Sequence, residues 1–282
     1  MGCIRLVTFN LQGLAAGWFE GREQAVIEGL RRLDPDVVLL QEASIRYGSG
    51  VDNEPRVYNQ ARAVGDGIGH HFCAFAPYGN PIETMSPQQG GLATVSRLPI
   101  VSVRSRRLPS GHRHDGRVAL LCSVQTSFGE IELVNTHLSW RPEETETRLV
   151  QLGLVLEEVA PAPWRDGTPR AVLAGDLNAE EGEAAIALAR QRLRDAWRTL
   201  HPAGPGTTWA TWNGLNRHPE MGDRRLDYVF CPPEVEVRRC EVVLDEADPH
   251  WPSDHFGVLA ELEWSPGADA AAPGASATSS AS

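Results

Sequence analysis

The apolar residues of this chain fall into short runs with abrupt polar ends. Runs at residues 4–9, 36–40, 92–96, 118–124, 131–136, 171–174, 226–230 and 256–262 predict strands. Between several of them the spacing turns helical. Val26, Leu30 and Leu33 fall at i, i+4 and i+7, and the helix they predict stops before Asp34-Pro35, because proline pushes the residue ahead of it out of the helical region. Leu149, Leu152, Leu156 and Val159 repeat that spacing and end near Pro161. A third helix is predicted over 181–197, carrying Ile186, Ala189 and Leu193. Strand 118–124 leads straight into strand 131–136, so a mixed sheet is expected rather than a pure βαβ series.

Composition narrows the picture. An apolar share of 41% suits a packed globular chain. With 27 Gly and 20 Pro in 282 residues, the chain lies below the glycine and proline content of a wholly disordered one. The longest apolar runs, such as 37–40, fall far short of the ~20 residues a bilayer requires, so no membrane span is expected. Residues 265–282 are Ala, Ser, Gly, Pro and Thr with one charge at Asp269; they predict a disordered tail behind one catalytic domain over 1–264. The net charge is −11, and all 26 basic residues are arginine. That balance argues against tight non-specific binding to duplex nucleic acid, which draws its affinity from phosphate contacts. Five scattered cysteines without a C-x-x-C pair, and no export signal, point to a reducing cytoplasm. A monomer is expected.

The informative residues stand where apolar runs end. Asn10 follows 4–9, Gln41-Glu42 follow 37–40, His137 follows 133–136, and Gly175-Asp176-Leu177-Asn178 follow 171–174. Asp254-His255 precede 256–262, and Asp227 lies inside an apolar strand. A strand end is a rigid mounting for a side chain that must project into a cleft. Asn and Asp alone are ordinary turn formers. Glu and His are not, and a carboxylate within an apolar strand is costly without a partner. Carboxylates, amides and imidazoles with no thiolate suit a hard cation, Mg²⁺ or Mn²⁺, better than structural zinc.

Seven segments occur in order: Thr8-Phe9-Asn10, Gln41-Glu42, the stretch 91–100 with its Ser96-Arg97-Leu98-Pro99, Asn135-Thr136-His137-Leu138, Gly175-Asp176-Leu177-Asn178, Arg225-Leu226-Asp227-Tyr228 and Ser253-Asp254-His255-Phe256. Together they resemble the endonuclease/exonuclease/phosphatase superfamily over residues 3–264. The resemblance implies an α/β (α+β) four-layer sandwich, two mixed β-sheets packed face to face with helices outside, and a site at one edge where strand ends converge. It implies Glu42 as principal metal ligand, Asn10 as the neighbouring amide and Asp254 as the group completing the metal environment. Asp176 is then the carboxylate that orients and deprotonates the attacking water, with Asn178 beside it on a phosphate oxygen. His137 and His255 clamp the phosphoryl oxygens, and Asp227 orients His255.

A phosphodiester anion repels nucleophiles, so such chemistry needs a cation, imidazolium donors and a base for the water. The expected activity is a Mg²⁺- or Mn²⁺-dependent phosphoester hydrolase, a phosphodiesterase working by in-line attack of water. Its substrates are either nucleic acid, as ends or single strands, or a small phosphorylated metabolite or lipid headgroup. A catalytically silent binding module of the same fold is the rival from another class. Whether Asp176 or the Asp227–His255 pair is the general base stays open in the sequence.

Weaker signals surround this set. Arg104, Arg106, Arg107, Arg113 and Arg117, with His112 and His114, form the most basic stretch, either a loop that receives an anion or a solvated loop between strands. In the segment 207–216, Trp212 and Asn216 are candidate substrate contacts, through stacking and hydrogen bonding. Arg224 and Arg225 are further candidates, as phosphate ligands or, for one of them, as a structural partner of an acid.

Overall fold

The computed structural model describes residues 2–13, 20–49, 55–79, 88–110, 116–159 and 170–265. Two sheets pack face to face. The first joins β1 (Gly2–Asn10), β2 (Val37–Ser49), β3 (Pro55–Asn59), β4 (Phe72–Pro77), β5 (Gln88–Ser96), β12 (Glu236–Val243) and β13 (Gly257–Trp264), in the order β12-β13-β1-β2-β5-β4 with β3 paired to β2. The second joins β6 (Ile100–Leu108), β7 (Arg117–Thr126), β8 (Gly129–His137), β9 (Ala171–Asp176), β10 (Arg194–Asp195) and β11 (Asp227–Cys231), in the order β10-β11-β9-β8-β7-β6. Each sheet has one parallel pair, β1–β2 and β8–β9, among antiparallel neighbours, so both are mixed.

Helices cover the outer faces. Along β1, Ile4 and Leu6 point into the core between the sheets, where they meet Leu133, Val172 and Val229. Val7 and Phe9 point the other way, onto Val26 and Leu30 of α1 (Glu20–Leu33) and Ala61 and Val64 of α2 (Gln60–Ile68). On the opposite side, Val134 and Leu173 pack against Leu152, Val155 and Leu156 of α3 (Thr145–Val159) and Ile186 and Ala189 of α4 (Ala184–Arg190). Four layers result. Strands buried on both faces explain why their sequences read as continuous apolar runs. No helix among the described residues is long and apolar enough to cross a membrane.

Two readings of local structure change. The helix expected over 181–197 is broken: α4 ends at Arg190, Arg194–Asp195 pair with β11, and α5 (Ala196–Leu200) begins afresh. Asp195 decides this, because its carboxylate caps α5 by accepting from Arg198 N at 3.2 Å and also binds Arg225. The basic stretch does not start as a loop either. Arg104, Arg106 and Arg107 lie on the edge strand β6, where Arg104 pairs with Glu132 and Glu158 and Arg106 with Glu157 and Glu158. Arg113, His112 and His114, and the expected tail from 266 onward, lie outside the described residues.

Candidate active site

Strand register builds the site. In the second sheet His137 stands opposite Asp176 across β8–β9, and Asp176 stands opposite Asp227 across β9–β11. Three consecutive strands thus end in three adjacent polar side chains. Gly175 permits the close approach: its φ is 149°, and a Cβ there would lie 2.0 Å from Thr136 O. In the first sheet Asn10 ends β1 beside Gln41 of β2. The β2–β5 ladder then bulges, with Leu40 opposite Ala93 but Ala43 opposite Gly91. The bulge turns Glu42, at φ 53°, towards the same point.

Buried amides tie the two sheets where these ends meet. Gln41 Nε2 donates to Asn135 Oδ1 at 2.7 Å and to Thr8 Oγ1 at 3.0 Å, while Asn135 Nδ2 donates to Leu40 O and Ala93 O. The central acceptor is Asp176. Its Oδ2 receives Asn10 Nδ2 at 3.0 Å and lies 3.4 Å from His137 Nε2 and 3.7 Å from His255 Nε2, while its Oδ1 accepts from Asn178 N at 2.9 Å. Burial, reinforced by Asp227, pushes the Asp176 carboxyl up to about 7 against the pull of His255.

The two imidazoles are held in different states. Tyr78 Oη accepts from Glu42 N at 3.2 Å and lies 2.9 Å from His137 Nδ1. Burial holds the Tyr78 phenol far above its usual range, so its proton stays on and is donated to Nδ1. His137 is therefore the tautomer with its proton on Nε2, facing Asp176. Burial, with Arg117 and His255 nearby, keeps this ring well below the usual imidazole value, hence neutral. His255 Nδ1 lies 2.9 Å from Asp227 Oδ2. Burial alone would lower His255, but Asp227, Asp176 and Asp254 override it and hold the ring well above its usual value. Its Nε2–H is presented to the pocket as part of an imidazolium.

Glu42, Asp254 and Asn10 could hold a cation. Burial and the neighbouring Asp254 raise Glu42, and burial raises Asp254. A buried and a half-buried carboxylate beside an amide are a donor set of hard oxygens, and a divalent cation between them would offset both their desolvation and their repulsion. Asn10 Nδ2 lies 3.4 Å from Glu42 Oε1. Arg22, buried behind Asp254, braces this wall through Leu11 O and Pro252 O. Asp176, Asp227 and His255 also bring ligand atoms within 4.8 Å of one another. Within that trio Asp227 Oδ2 is already engaged by His255 Nδ1, so its ligand atoms are less free for a cation than those of Glu42 and Asp254.

The residues surround one opening. A pocket of about 150 Å³ is lined by Glu42, His137, Asp176, Asn178, Asp254 and His255, and it continues into a trough of about 500 Å³. The remaining candidates fall elsewhere. Arg225 is buried and turned away, bound to Asp195 and Glu181 and stacked 4.4 Å from the Tyr228 ring centre; its sequence neighbour Arg224 lines the pocket instead. Trp212 is 57% exposed and packs on Trp251 and Phe256 outside both cavities. Asn216 closes its own turn, donating to Ala210 O and accepting from His218 N.

The pocket also holds residues outside the seven family-like segments. Trp209 lies edge-on to His255, Tyr78 orients His137, and Trp140 and His218 line both cavities. Arg117 lines both as well, its guanidinium 5.6 Å from the Tyr78 ring centre and in no ion pair among the described residues. Arg117 belongs to the basic stretch read from the sequence as able to receive an anion, and it stands at the start of the apolar run 118–124.

Comparison with known proteins agrees with this geometry. Tyrosyl-DNA phosphodiesterase 2 of Gallus gallus is 24% identical over 268 residues, covering 92% of this chain and 66% of that protein. The protein of the same name from Xenopus tropicalis is 27% identical over 266 residues, covering 91% and 65%. The chain spans just under two thirds of the length of these relatives. A crystal structure of an endonuclease/exonuclease/phosphatase from Beutenbergia cavernae DSM 12333 superimposes with a TM-score of 0.71 at 25% identity, over 94% of this chain and 72% of that one. The model of the Endonuclease/Exonuclease/phosphatase family matches residues 7–255. That span runs from the first strand to His255 of the pocket and takes in the strand positions that build it: the chain belongs to the Endonuclease/Exonuclease/phosphatase family.

Proposed function

We propose that this chain is a phosphodiesterase dependent on Mg²⁺ or Mn²⁺ that acts on nucleic acid ends or short single strands. One observation carries the reading: Asp176 Oδ2 gathers Asn10, His137 and His255 within 3.0–3.7 Å, beside the Glu42/Asp254 wall of the same pocket. An acceptor among donors is what an attacking water and a phosphoryl group each need. Glu42, Asp254 and Asn10 would hold the cation, which when bound neutralises phosphoryl oxygens and makes water more acidic.

The chain's own groups divide the remaining work. Asp176 accepts the proton of the attacking water. Its raised basicity suits that task, and the charged state of His255 leaves that imidazole no free lone pair for it. His255 Nε2–H and His137 Nε2–H donate to the oxygens on which charge builds in the transition state. Asn178, pinned at φ 48° by its contacts to Asp176 and Leu138, stands ready as a neutral donor beside them. Arg117 adds a fixed positive charge at the mouth.

The trough favours an extended substrate over a small metabolite. It is wider than the pocket and is lined by Trp140, Trp209, Arg117, Arg217 and His218, aromatic and cationic groups suited to bases and phosphates. The relatives' name, tyrosyl-DNA phosphodiesterase, points the same way. The test is hydrolysis of single-stranded, duplex and abasic DNA, RNA, phosphotyrosyl ends, sphingomyelin and inositol phosphates with Mg²⁺. Cleavage of nucleic acid ends or single strands, abolished by EDTA, is expected. Preference for a headgroup or a free metabolite, or indifference to EDTA, overturns the reading.

A further inference from the structure

We propose that Trp140 is the platform on which the base of the nucleotide next to the scissile phosphate stacks. The inference rests on the nucleic-acid reading above and assigns its specificity to one residue. Trp140 is 42% exposed, yet it lines both the pocket and the trough, three residues beyond His137. The Arg141 guanidinium stacks on the ring at 4.9 Å from its centre, so one face is covered and the exposed remainder borders the cavities. Arg141 pairs with no carboxylate among the described residues and its Nε has no hydrogen-bond partner there, leaving its charge available to a phosphate.

The mounting is rigid. Leu138 N donates to Asp176 O at 3.0 Å and Ser139 N to Gln151 Oε1 at 2.9 Å. The buried Arg148 donates from Nη1 to Ser139 O and Arg141 O, and from Nη2 to Pro142 O. A single exposed aromatic is common on protein surfaces. A tryptophan whose flanking carbonyls are locked by a buried arginine, two residues beyond the Leu138 amide that is bonded to Asp176 O, is a pre-organised surface. Its flat, half-bare ring suits a nucleobase, because every base offers a π-face and stacking loses little side-chain freedom.

The test compares the full chain with Trp140→Ala and Trp140→Phe in Mg²⁺. The substrates are two single-stranded oligonucleotides bearing the same 5′-p-nitrophenyl phosphate, one with a base on its terminal nucleotide and one abasic there. For Trp140→Ala, kcat/KM should fall about 10-fold or more on the base-bearing strand, the order of one stacked base, mainly through KM. The fall on the abasic strand should be slight, and Trp140→Phe should restore most of the loss. Equal losses on both strands, or no loss with an active wild type, overturn the stack and leave the activity standing. A wild type that cleaves bis(p-nitrophenyl) phosphate but neither oligonucleotide overturns the nucleic-acid reading, and the platform with it.

Discussion

Asn10 Nδ2 donates to Asp176 Oδ2 across 3.0 Å, and the two residues belong to different sheets. The sandwich is therefore closed, at the pocket edge, by the same carboxylate that we propose as acceptor of the attacking water's proton. Strain or displacement in either sheet reaches Asp176 directly, through Asn10 on one side and through its β8 and β11 neighbours on the other.

Asp176→Asn should remove the base while leaving the strand ends in place. Turnover of an activated phosphodiester in Mg²⁺ is expected to fall by about 100- to 10,000-fold, the usual range for a positioned base. Steady-state rates, with circular dichroism to confirm the fold, check this.

Asp227→Asn should loosen the hold on the His255 proton. The imidazole is held above its ordinary value, so the pair contributes stability below about pH 6.5, the unperturbed imidazole value, and loses it as pH rises through the folded value. The alkaline limb of kcat/KM should move to lower pH in the variant. The melting difference between wild type and variant should be larger at pH 6 than at pH 9.

Cation binding should be visible without turnover. At a Mg²⁺ concentration 100 times Kd the wild type gains about 2.7 kcal/mol, or about 5–10 °C in Tm for a chain of this size. Glu42→Gln should lose most of that shift. In EDTA it should melt at or above the wild type, because burial and Asp254 disfavour the Glu42 charge. Differential scanning fluorimetry with and without EDTA reads both effects.

Two arginines should separate structure from chemistry. Arg225→Ala strips a buried partner from Asp195 and should cost about 3–5 kcal/mol, while the folded fraction keeps its kcat. Arg117→Ala breaks no ion pair but removes a buried side chain near the Tyr78 ring, so it should lower Tm less than Arg225→Ala while lowering kcat/KM. Melting curves beside steady-state kinetics distinguish them.

The chain itself determined the strand ends and their chemistry. A strand covered on both faces must be apolar until it leaves the sandwich, so Asn10, His137 and Asp176 mark where β1, β8 and β9 end and Asp254 stands just ahead of β13, while Glu42 sits at the bulge inside β2. The first helix stops at Leu33 because proline two residues on disfavours continuing it. These are local effects, written in neighbouring residues.

Only the tertiary structure decided which long side chains face the pocket. Trp209 and Trp212 share one loop, yet Trp209 is turned in by bridges to Arg224 and His255 while Trp212 lies against Trp251. Arg224 and Arg225 are adjacent, but the buried Asp195, 30 positions away from Arg225, claims the second. Tyr78 enters through a contact spanning 59 residues, and β6 is a strand because β7 pairs with it, despite its polar sequence. Side-chain direction follows from pairing partners distant in the chain, and such pairings leave no pattern in the residues around either one.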